Sequence, residues 1–219
     1  MAGQLYKIGL VITIKDRYEY TRQTLIDLKD SNLLSDIVIV LIDDGSQEET
    51  SRLLQHFPLK KQNSLKDADV ILITHGLSTG VAKSLQEGWD LCINEGCTTL
   101  CNLDNDVRLK PDWLIKLLQL QAQYPDSIIT GFNANNPAHR VLSEYPDHII
   151  KSSIGGINML FSKKMYLQIR ERLIDNGWDW QISDLYKKFI VTKPSVVQHT
   201  GLIGIHSTAA DHIDIAEDF

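Results

Sequence analysis

Two aspartates two residues apart, Asp104 and Asp106, follow an apolar run in the 219-residue sequence. The run, from Thr98 to Leu103, predicts a buried strand. Two carboxylates at the end of a strand can converge on one hard cation, and that cation can also bind the oxygens of a diphosphate. The pair therefore predicts a site for a divalent ion, Mn²⁺ or Mg²⁺.

A second acidic turn, Asp43-Asp44-Gly45-Ser46, follows the apolar run Ile37 to Ile42. Its carboxylates can accept hydrogen bonds from a nucleobase N–H or a ribose hydroxyl. Ser46 and Glu49 have the spacing of a capping box, which predicts the start of a helix. The turn therefore has two interpretations, a nucleotide contact or a capped turn with a structural role only.

Strand and helix patterns alternate over the first 130 residues. β-Branched runs at residues 8–14, 37–42 and 70–74 predict strands, and apolar residues at helical spacing follow each of them. This alternation predicts an α/β fold with a mostly parallel sheet and helices on both faces. Because ligands gather at the carboxyl ends of such strands, we expect the acidic turns to share one edge of the sheet.

The pattern changes after residues 128–130. We predict a long loop over 133–146, where prolines and asparagines concentrate, then a strand within 154–161 and a helix around 165–173. The last ten residues, 210–219, contain four acids and are expected to form a mobile flap or a frayed tail. The length predicts a single domain over 1–219 with a smaller second half.

Composition excludes several classes of protein. The net charge is −6 and long basic runs are absent, which argues against nucleic acid as a partner. The three cysteines, Cys92, Cys97 and Cys101, have no spacing typical of a disulfide framework or a zinc site, which indicates a reducing compartment. No apolar run is long enough for a transmembrane segment, and the N-terminus lacks the pattern of a signal peptide. We therefore expect a cytoplasmic protein.

In combination, these motifs resemble a family 2 type glycosyltransferase with the GT-A (Rossmann-like) fold. The resemblance covers nearly the whole chain. It is carried by Ile12-Thr13-Ile14-Lys15-Asp16-Arg17, Leu41-Ile42-Asp43-Asp44-Gly45-Ser46, Gly80-Val81-Ala82-Lys83, Leu103-Asp104-Asn105-Asp106, Gly156-Ile157-Asn158-Met159-Leu160-Phe161, Trp178-Asp179-Trp180-Gln181-Ile182 and Gln198-His199-Thr200-Gly201.

The resemblance implies a metal-dependent, inverting enzyme. It would move a hexosyl or N-acetylhexosaminyl group from a nucleotide sugar, a UDP-sugar, to a hydroxyl of a glycan or glycoconjugate acceptor. Residues 1–131 would bind the nucleotide sugar, residues 132–209 would bind the acceptor and hold the catalytic base, and residues 210–219 would form an acidic tail.

The resemblance also implies roles for individual residues. Asp179 would be the catalytic base. Asp104, Asp106 and His199 would bind the metal. The nucleotide would be bound by Thr13, Asp16, Asp43, Asp44, Lys83 and Asp104. The sugar or acceptor would lie against Trp178, Trp180 and Gly156, since aromatic faces beside a carboxylate can hold a sugar ring.

The sequence departs from the family pattern at several positions. Asp16 and Ser78-Thr79-Gly80 replace an asparagine and an Asn-x-Gly in the first and third loops. Asp184 is an alternative to Asp179 as the base, and His206 is an alternative to His199 at the diphosphate. A non-catalytic nucleotide-sugar-binding module is an alternative function. A sugar nucleotidyltransferase is disfavoured, because the first strand lacks a glycine-rich phosphate loop.

Overall fold

The computed structural model describes residues 7–33, 36–57, 69–174, 177–201 and 215–219. Strands and helices alternate over the first half and then become shorter. In chain order the elements are β1 (Ile8–Ile14), α1 (Tyr18–Asp30), β2 (Ile37–Asp43), α2 (Glu48–His56), β3 (Asp69–Thr74), α3 (Val81–Asn94), β4 (Thr99–Asp104), β5 (Val107–Leu109), α4 (Trp113–Gln123), β6 (Ile128–Thr130), β7 (Val141–Glu144), β8 (His148–Lys151), β9 (Asn158–Ser162), α5 (Lys163–Ile169), a 3₁₀ turn (Arg170–Arg172), α6 (Trp178–Leu185), β10 (Phe189–Thr192) and β11 (Val197–His199).

Nine strands within the described ranges form the central sheet, in the order β3-β2-β1-β4-β9-β6-β10-β8-β7. The first four strands are parallel, as are β6 and β10, while β9 and β8 run against their neighbours. The register places Thr13 beside Ile42 and Asp104, so the carboxyl ends of β1, β2 and β4 meet at one edge. The predicted mostly parallel α/β sheet is confirmed.

Helices cover both faces of the sheet, because successive side chains of a strand point to opposite faces. Leu10 and Ile12 of β1 pack in the core that includes residues of α1, α2 and α4. Val11, between them, packs in the core that includes residues of α3, α5 and α6. The continuous apolar runs of the sequence therefore reflect strands that are buried on both sides.

An asparagine pair fixes the position of β9 between β4 and β6. Asn102 donates to the carbonyl of Gly156 at 2.6 Å and accepts from the N–H of Met159 at 3.1 Å. Asn158 donates to the carbonyl of Asn102 at 2.9 Å and accepts from the N–H of Gly131 at 3.0 Å. Both side chains are buried, and their hydrogen bonds join the two halves of the sheet in one register.

Two expectations about local structure are wrong. The segment predicted as a loop contains β7, an edge strand whose side chains are all exposed and so carry no apolar pattern. The predicted capping box is absent because Gln47 is the N-cap of α2, and the Ser46 hydroxyl instead accepts from the N–H of Asp16.

The C-terminal residues 215–219 are docked rather than frayed. Gln198 exchanges two hydrogen bonds with the backbone of Ala216, at 2.8 and 2.9 Å, and Ser195 donates to Asp218 at 2.5 Å. Residues 210–214 of the predicted tail lie outside the described ranges.

Among the helices in the described ranges, none combines the length and the apolar character needed to cross a membrane.

Candidate functional site

The loop after β1 adopts an unusual backbone that is held by several hydrogen bonds. Asp16 and Arg17 have φ angles of 55° and 58°, a left-handed conformation that few residues other than glycine adopt. The Asp16 N–H donates to the Ser46 hydroxyl at 2.9 Å, and the Asp16 carboxylate accepts from the N–H of Gln47 at 2.7 Å. The Asp16 carboxylate therefore ties this loop to the start of α2.

Both carboxylates of the second acidic turn are buried and bonded within the protein. Asp43 accepts from the N–H of Ser46 at 2.9 Å and from the hydroxyl of Ser51 at 2.5 Å. Asp44 accepts from the third loop, which comprises residues 75–80. The donors are the Ser78 hydroxyl at 2.6 Å, the N–H groups of Thr79 at 2.7 Å and Gly80 at 3.0 Å, and the His75 ring at 2.8 Å. Asp44 thus anchors the third loop.

Burial alone would raise the pKa of Asp44, but the hydrogen bonds it accepts, first of all from His75, hold that pKa well below its usual range. The His75 ring lies between two carboxylates, with Nδ1 2.8 Å from Asp44 and Nε2 2.8 Å from Glu87. The bond to Asp44 is the main reason that the pKa of His75 is raised. The second and third loops are therefore joined through a charged network.

The acidic turn that contains Asp104 and Asp106, between β4 and β5, approaches His199 through a short two-stranded sheet. β5 and β11 pair antiparallel, with His199 opposite Val107. Nε2 of His199 lies 3.3 Å from Oδ2 of Asp106, and Thr200 donates from its N–H and its hydroxyl to the carbonyl of Asp106 at 2.9 and 2.7 Å. The structure thus brings together two of the three predicted metal ligands.

The pKa of Asp104, the third predicted ligand, is shifted by burial and by neighbouring charged residues. Burial is the main reason that the pKa of Asp104 is raised well above its usual range, and Asp106 raises it further. His199 and Arg17 act to lower the pKa of Asp104, whereas Asp179 raises it further. Residues from four separate parts of the chain therefore act on one carboxylate.

These residues fit a divalent ion that takes part of its ligands from a substrate. Among residues 7–33, 36–57, 69–174, 177–201 and 215–219, no three His, Cys, Asp or Glu side chains form a cluster that could hold a metal by itself. Asp104, Asp106 and His199 offer two carboxylates and one imidazole, and the raised pKa of Asp104 indicates that a cation would relieve the repulsion between the carboxylates. The donor set suits an ion completed by diphosphate oxygens rather than a site enclosed by protein.

The sequence analysis missed Arg17 as a site residue. Its guanidinium donates from one terminal nitrogen to Oδ2 of Asp106 and from the other to the carbonyl of Gly201 at 3.0 Å. The available signal was its position, since Arg17 is a cation in a loop at the same edge of the sheet as the acidic turns. His75 was also missed, because its two carboxylate partners are brought to it by the fold.

The predicted sugar-binding residues differ in their surroundings. Trp178 is buried, lies 6.2 Å from Trp89 between ring centroids, and packs against Gly156, where a Cβ would come within 2.5 Å of the indole. Trp180 is 45% exposed and stacks on His139 at 5.4 Å. Of the two tryptophans, only Trp180 presents a large surface to solvent.

The two candidate bases are both on α6, but their surroundings differ. Asp179 is in the first turn of α6, where its carboxylate accepts from the N–H of Trp180 at 2.9 Å, and its charge reaches Asp104. Asp184 is exposed and pairs with Lys187 at 3.1 Å. Lys83 is exposed in the first turn of α3, while His206 lies outside the described residues.

Comparison with known proteins identifies the family and the fold of the chain. The model of the family described as glycosyl transferase family 2 matches residues 10–201. A solved structure titled "Crystal structure of GalNAc-T7 with UDP, GalNAc and Mn2+" resembles the chain with a TM-score of 0.66 and 14% identity, which shows the GT-A fold. The similarity covers 89% of this chain and 44% of that one, so this chain spans less than half the length of its structural neighbour. No curated protein matches. Because the family model spans most of the sequence, the chain belongs to glycosyl transferase family 2.

Proposed function

We propose that the chain is a metal-dependent, inverting glycosyltransferase that moves a hexosyl or N-acetylhexosaminyl group from a UDP-sugar to a hydroxyl of a glycan or glycoconjugate. The observation that carries the proposal is that Asp106, His199, Arg17 and Asp179 all act on Asp104 at one edge of the sheet. The neighbour solved with UDP, GalNAc and Mn²⁺ supports the donor class and a divalent ion.

Asp104, Asp106 and His199 would hold the ion, Mn²⁺ or Mg²⁺. When bound, the ion would supply positive charge where negative charge grows on the departing diphosphate. Asp106 is nearly inaccessible to solvent, and the backbone of its turn is fixed by Thr200. The ligands are therefore held in place before the donor arrives, which is what preorganised charge stabilisation requires.

Residues 1–131 form the proposed donor half. Asp16, Asp43 and Asp44 would border the uridine, and their hydrogen bonds to neighbouring loops support a role in shaping that pocket. Thr13 lies beside Asp104 in the sheet, close to where the diphosphate would bind. Lys83 is in the first turn of α3, where the helix dipole favours a phosphate.

Residues 132–209 form the proposed acceptor half, with Asp179 as the base. Asp179 would take the proton from the attacking hydroxyl, which displaces the diphosphate from the opposite face of the sugar and inverts the anomeric carbon. The exposed ring of Trp180 would hold the sugar beside Asp179. The buried contact between Trp178, the first residue of α6, and Gly156 would fix the position of α6. Three free, buried cysteines support a cytoplasmic location.

The first prediction is that Asp106→Ala loses both Mn²⁺-dependent UDP binding and sugar transfer, because the diphosphate charge is then poorly compensated. UDP binding is measured by calorimetry, and sugar transfer by release of UDP from a panel of UDP-sugars. Exposed Asp126→Ala is the matched control and should resemble the wild type. Full activity in EDTA would contradict the proposed metal dependence. UDP binding without sugar transfer from any donor would instead indicate a non-catalytic nucleotide-sugar-binding module.

A further inference from the structure

Arg17 occupies the space between the acidic turn and the end of β11. One terminal nitrogen donates to Asp106 and the other to the carbonyl of Gly201, and the guanidinium carbon lies 5.1 Å above the ring of Tyr20. The Asp106 side chain is 4% exposed and the Arg17 side chain is 27% exposed. The Arg17 side chain therefore pairs with a buried carboxylate and is itself partly exposed.

The backbone fixes this placement. Arg17 follows Asp16 in a pair of left-handed residues, and such a turn persists only where its surroundings determine it. The hydrogen bonds from Asp16 to Ser46 and from Gln47 to Asp16 provide that support, together with the Thr21 hydroxyl, which donates to the Asp16 carbonyl at 3.1 Å. The loop therefore aims Arg17 at the acidic turn.

Gly201 leaves space for the contact between the Arg17 guanidinium and the Asp106 carboxylate. A Cβ at Gly201 would overlap the carboxylate of Asp106 and would lie 2.6 Å from the terminal nitrogen of Arg17. Only glycine leaves room there for the pair. Two distant segments of the chain, at residues 16–17 and at residue 201, thus fit around one contact.

We infer that Arg17 is a diphosphate-binding residue that acts as the counter-ion of Asp106 until the donor binds. The inference rests on the proposed function. The Arg17 guanidinium lies beside Asp106, and a divalent ion at Asp106 would compete for the same oxygen. A guanidinium released from a carboxylate can bind phosphate oxygens with paired N–H groups, and the donor supplies such oxygens.

This competition couples the donor to the ion. An ion alone removes the contact between Arg17 and Asp106, whereas an ion that arrives with a diphosphate offers the guanidinium phosphate oxygens in place of that carboxylate. UDP should therefore strengthen Mn²⁺ binding, and by linkage Mn²⁺ should strengthen UDP binding by the same factor.

The test compares Arg17→Gln with wild type in two titrations. Mn²⁺ alone is titrated by electron paramagnetic resonance, and UDP is titrated by calorimetry at saturating Mn²⁺. Without the competing charge, Arg17→Gln should bind Mn²⁺ alone about 3- to 10-fold more tightly, and without the phosphate contact it should bind UDP roughly 10-fold more weakly. Exposed Arg22→Gln, on α1, is the control and should change neither affinity.

Equal Mn²⁺ and UDP affinities in Arg17→Gln and wild type would overturn the inference. If the wild type binds no Mn²⁺ under any condition, the metal dependence in the proposed function is contradicted. The UDP affinity then tests the role of Arg17 in diphosphate binding: a tenfold loss in Arg17→Gln supports the inference, and an unchanged affinity overturns it. Arg17→Lys, which keeps the charge but loses the paired donors, provides the same comparison if Arg17→Gln does not fold. Its UDP affinity should fall between those of wild type and Arg17→Gln.

Discussion

At the scale of single residues, the candidate site depends on charges that are placed against one another in a partly buried environment. Asp104 has a raised pKa because burial and Asp106 disfavour its ionised form, while His199 and Arg17 offset part of that effect. Asp179 acts on the same carboxylate from α6. The acidic turn and the proposed base are therefore parts of one electrostatic unit.

The second prediction concerns the base. Asp179→Asn keeps the size of the side chain but removes the proton acceptor, so UDP binding should survive while turnover falls by about 10² to 10⁴, the usual contribution of general-base catalysis. The measurement is kcat for sugar transfer alongside UDP affinity. Asp184→Asn is the matched control on the same helix and should keep near-normal turnover, because Asp184 is exposed and pairs with Lys187. If Asp184→Asn lost turnover while Asp179→Asn kept it, Asp184 would be the base instead of Asp179.

At the scale of elements, the loops at the sheet edge are tied to each other by side chains. Asp44 holds the third loop, and His75 links Asp44 to Glu87 on α3. An imidazole between two carboxylates is stabilised in its protonated form, in which both ring nitrogens donate. The order of this loop should therefore depend on pH.

The third prediction follows from the raised pKa of His75. A group whose pKa is raised on folding adds stability below its unfolded value of about 6.5, and this stability is lost as the pH rises through the folded value. The gap in Tm between wild type and His75→Gln should be widest near pH 6 and narrow steadily towards pH 9. Exposed His56→Gln is the control and should show no such trend. A difference in Tm that stays constant or grows with pH would contradict the charged network of His75, Asp44 and Glu87.

The sequence predicted most of the central sheet, because strands such as β1 and β2 are buried on both faces and their apolar residues are continuous. It did not predict β7, whose exposed side chains leave no pattern. The turns that end β2 and β4 were placed correctly at one edge. The contact of His75 with Asp44 and that of Arg17 with Asp106 were not predicted, because His75 and Arg17 come from other loops and only the fold sets these distances.

At the scale of the whole molecule, two cores on opposite faces of one sheet set the positions of all the loops. α3 lies close to β1 because Gly88 has no side chain. A Cβ at Gly88 would come within 2.5 Å of a Val11 methyl group and within 3.0 Å of the Ile42 side chain, both of which are fully buried. The distance between helix and sheet is therefore fixed by one residue.

The fourth prediction is that Gly88→Ala destabilises the protein by about 1–2 kcal/mol, because overpacking in a rigid core outweighs the roughly 1 kcal/mol that alanine contributes in a helix. The measurement is the midpoint of urea unfolding. Gly155→Ala is the control, since a Cβ at Gly155 meets no atom within 4 Å, and its midpoint should stay near that of the wild type. A stabilised Gly88→Ala protein would show that α3 can move away from the sheet.

The pairing of β5 with β11 has a consequence for the newly made chain. It joins Asp106 to His199, which are 93 residues apart. At a synthesis rate of about 5–20 residues per second, the carboxylates of the acidic turn leave the ribosome roughly 5–20 s before the imidazole. The nascent protein thus passes through an interval in which most of the parallel strands are already made while the proposed metal ligand set lacks its imidazole, and an ion acquired in that interval would be bound without the proposed nitrogen ligand.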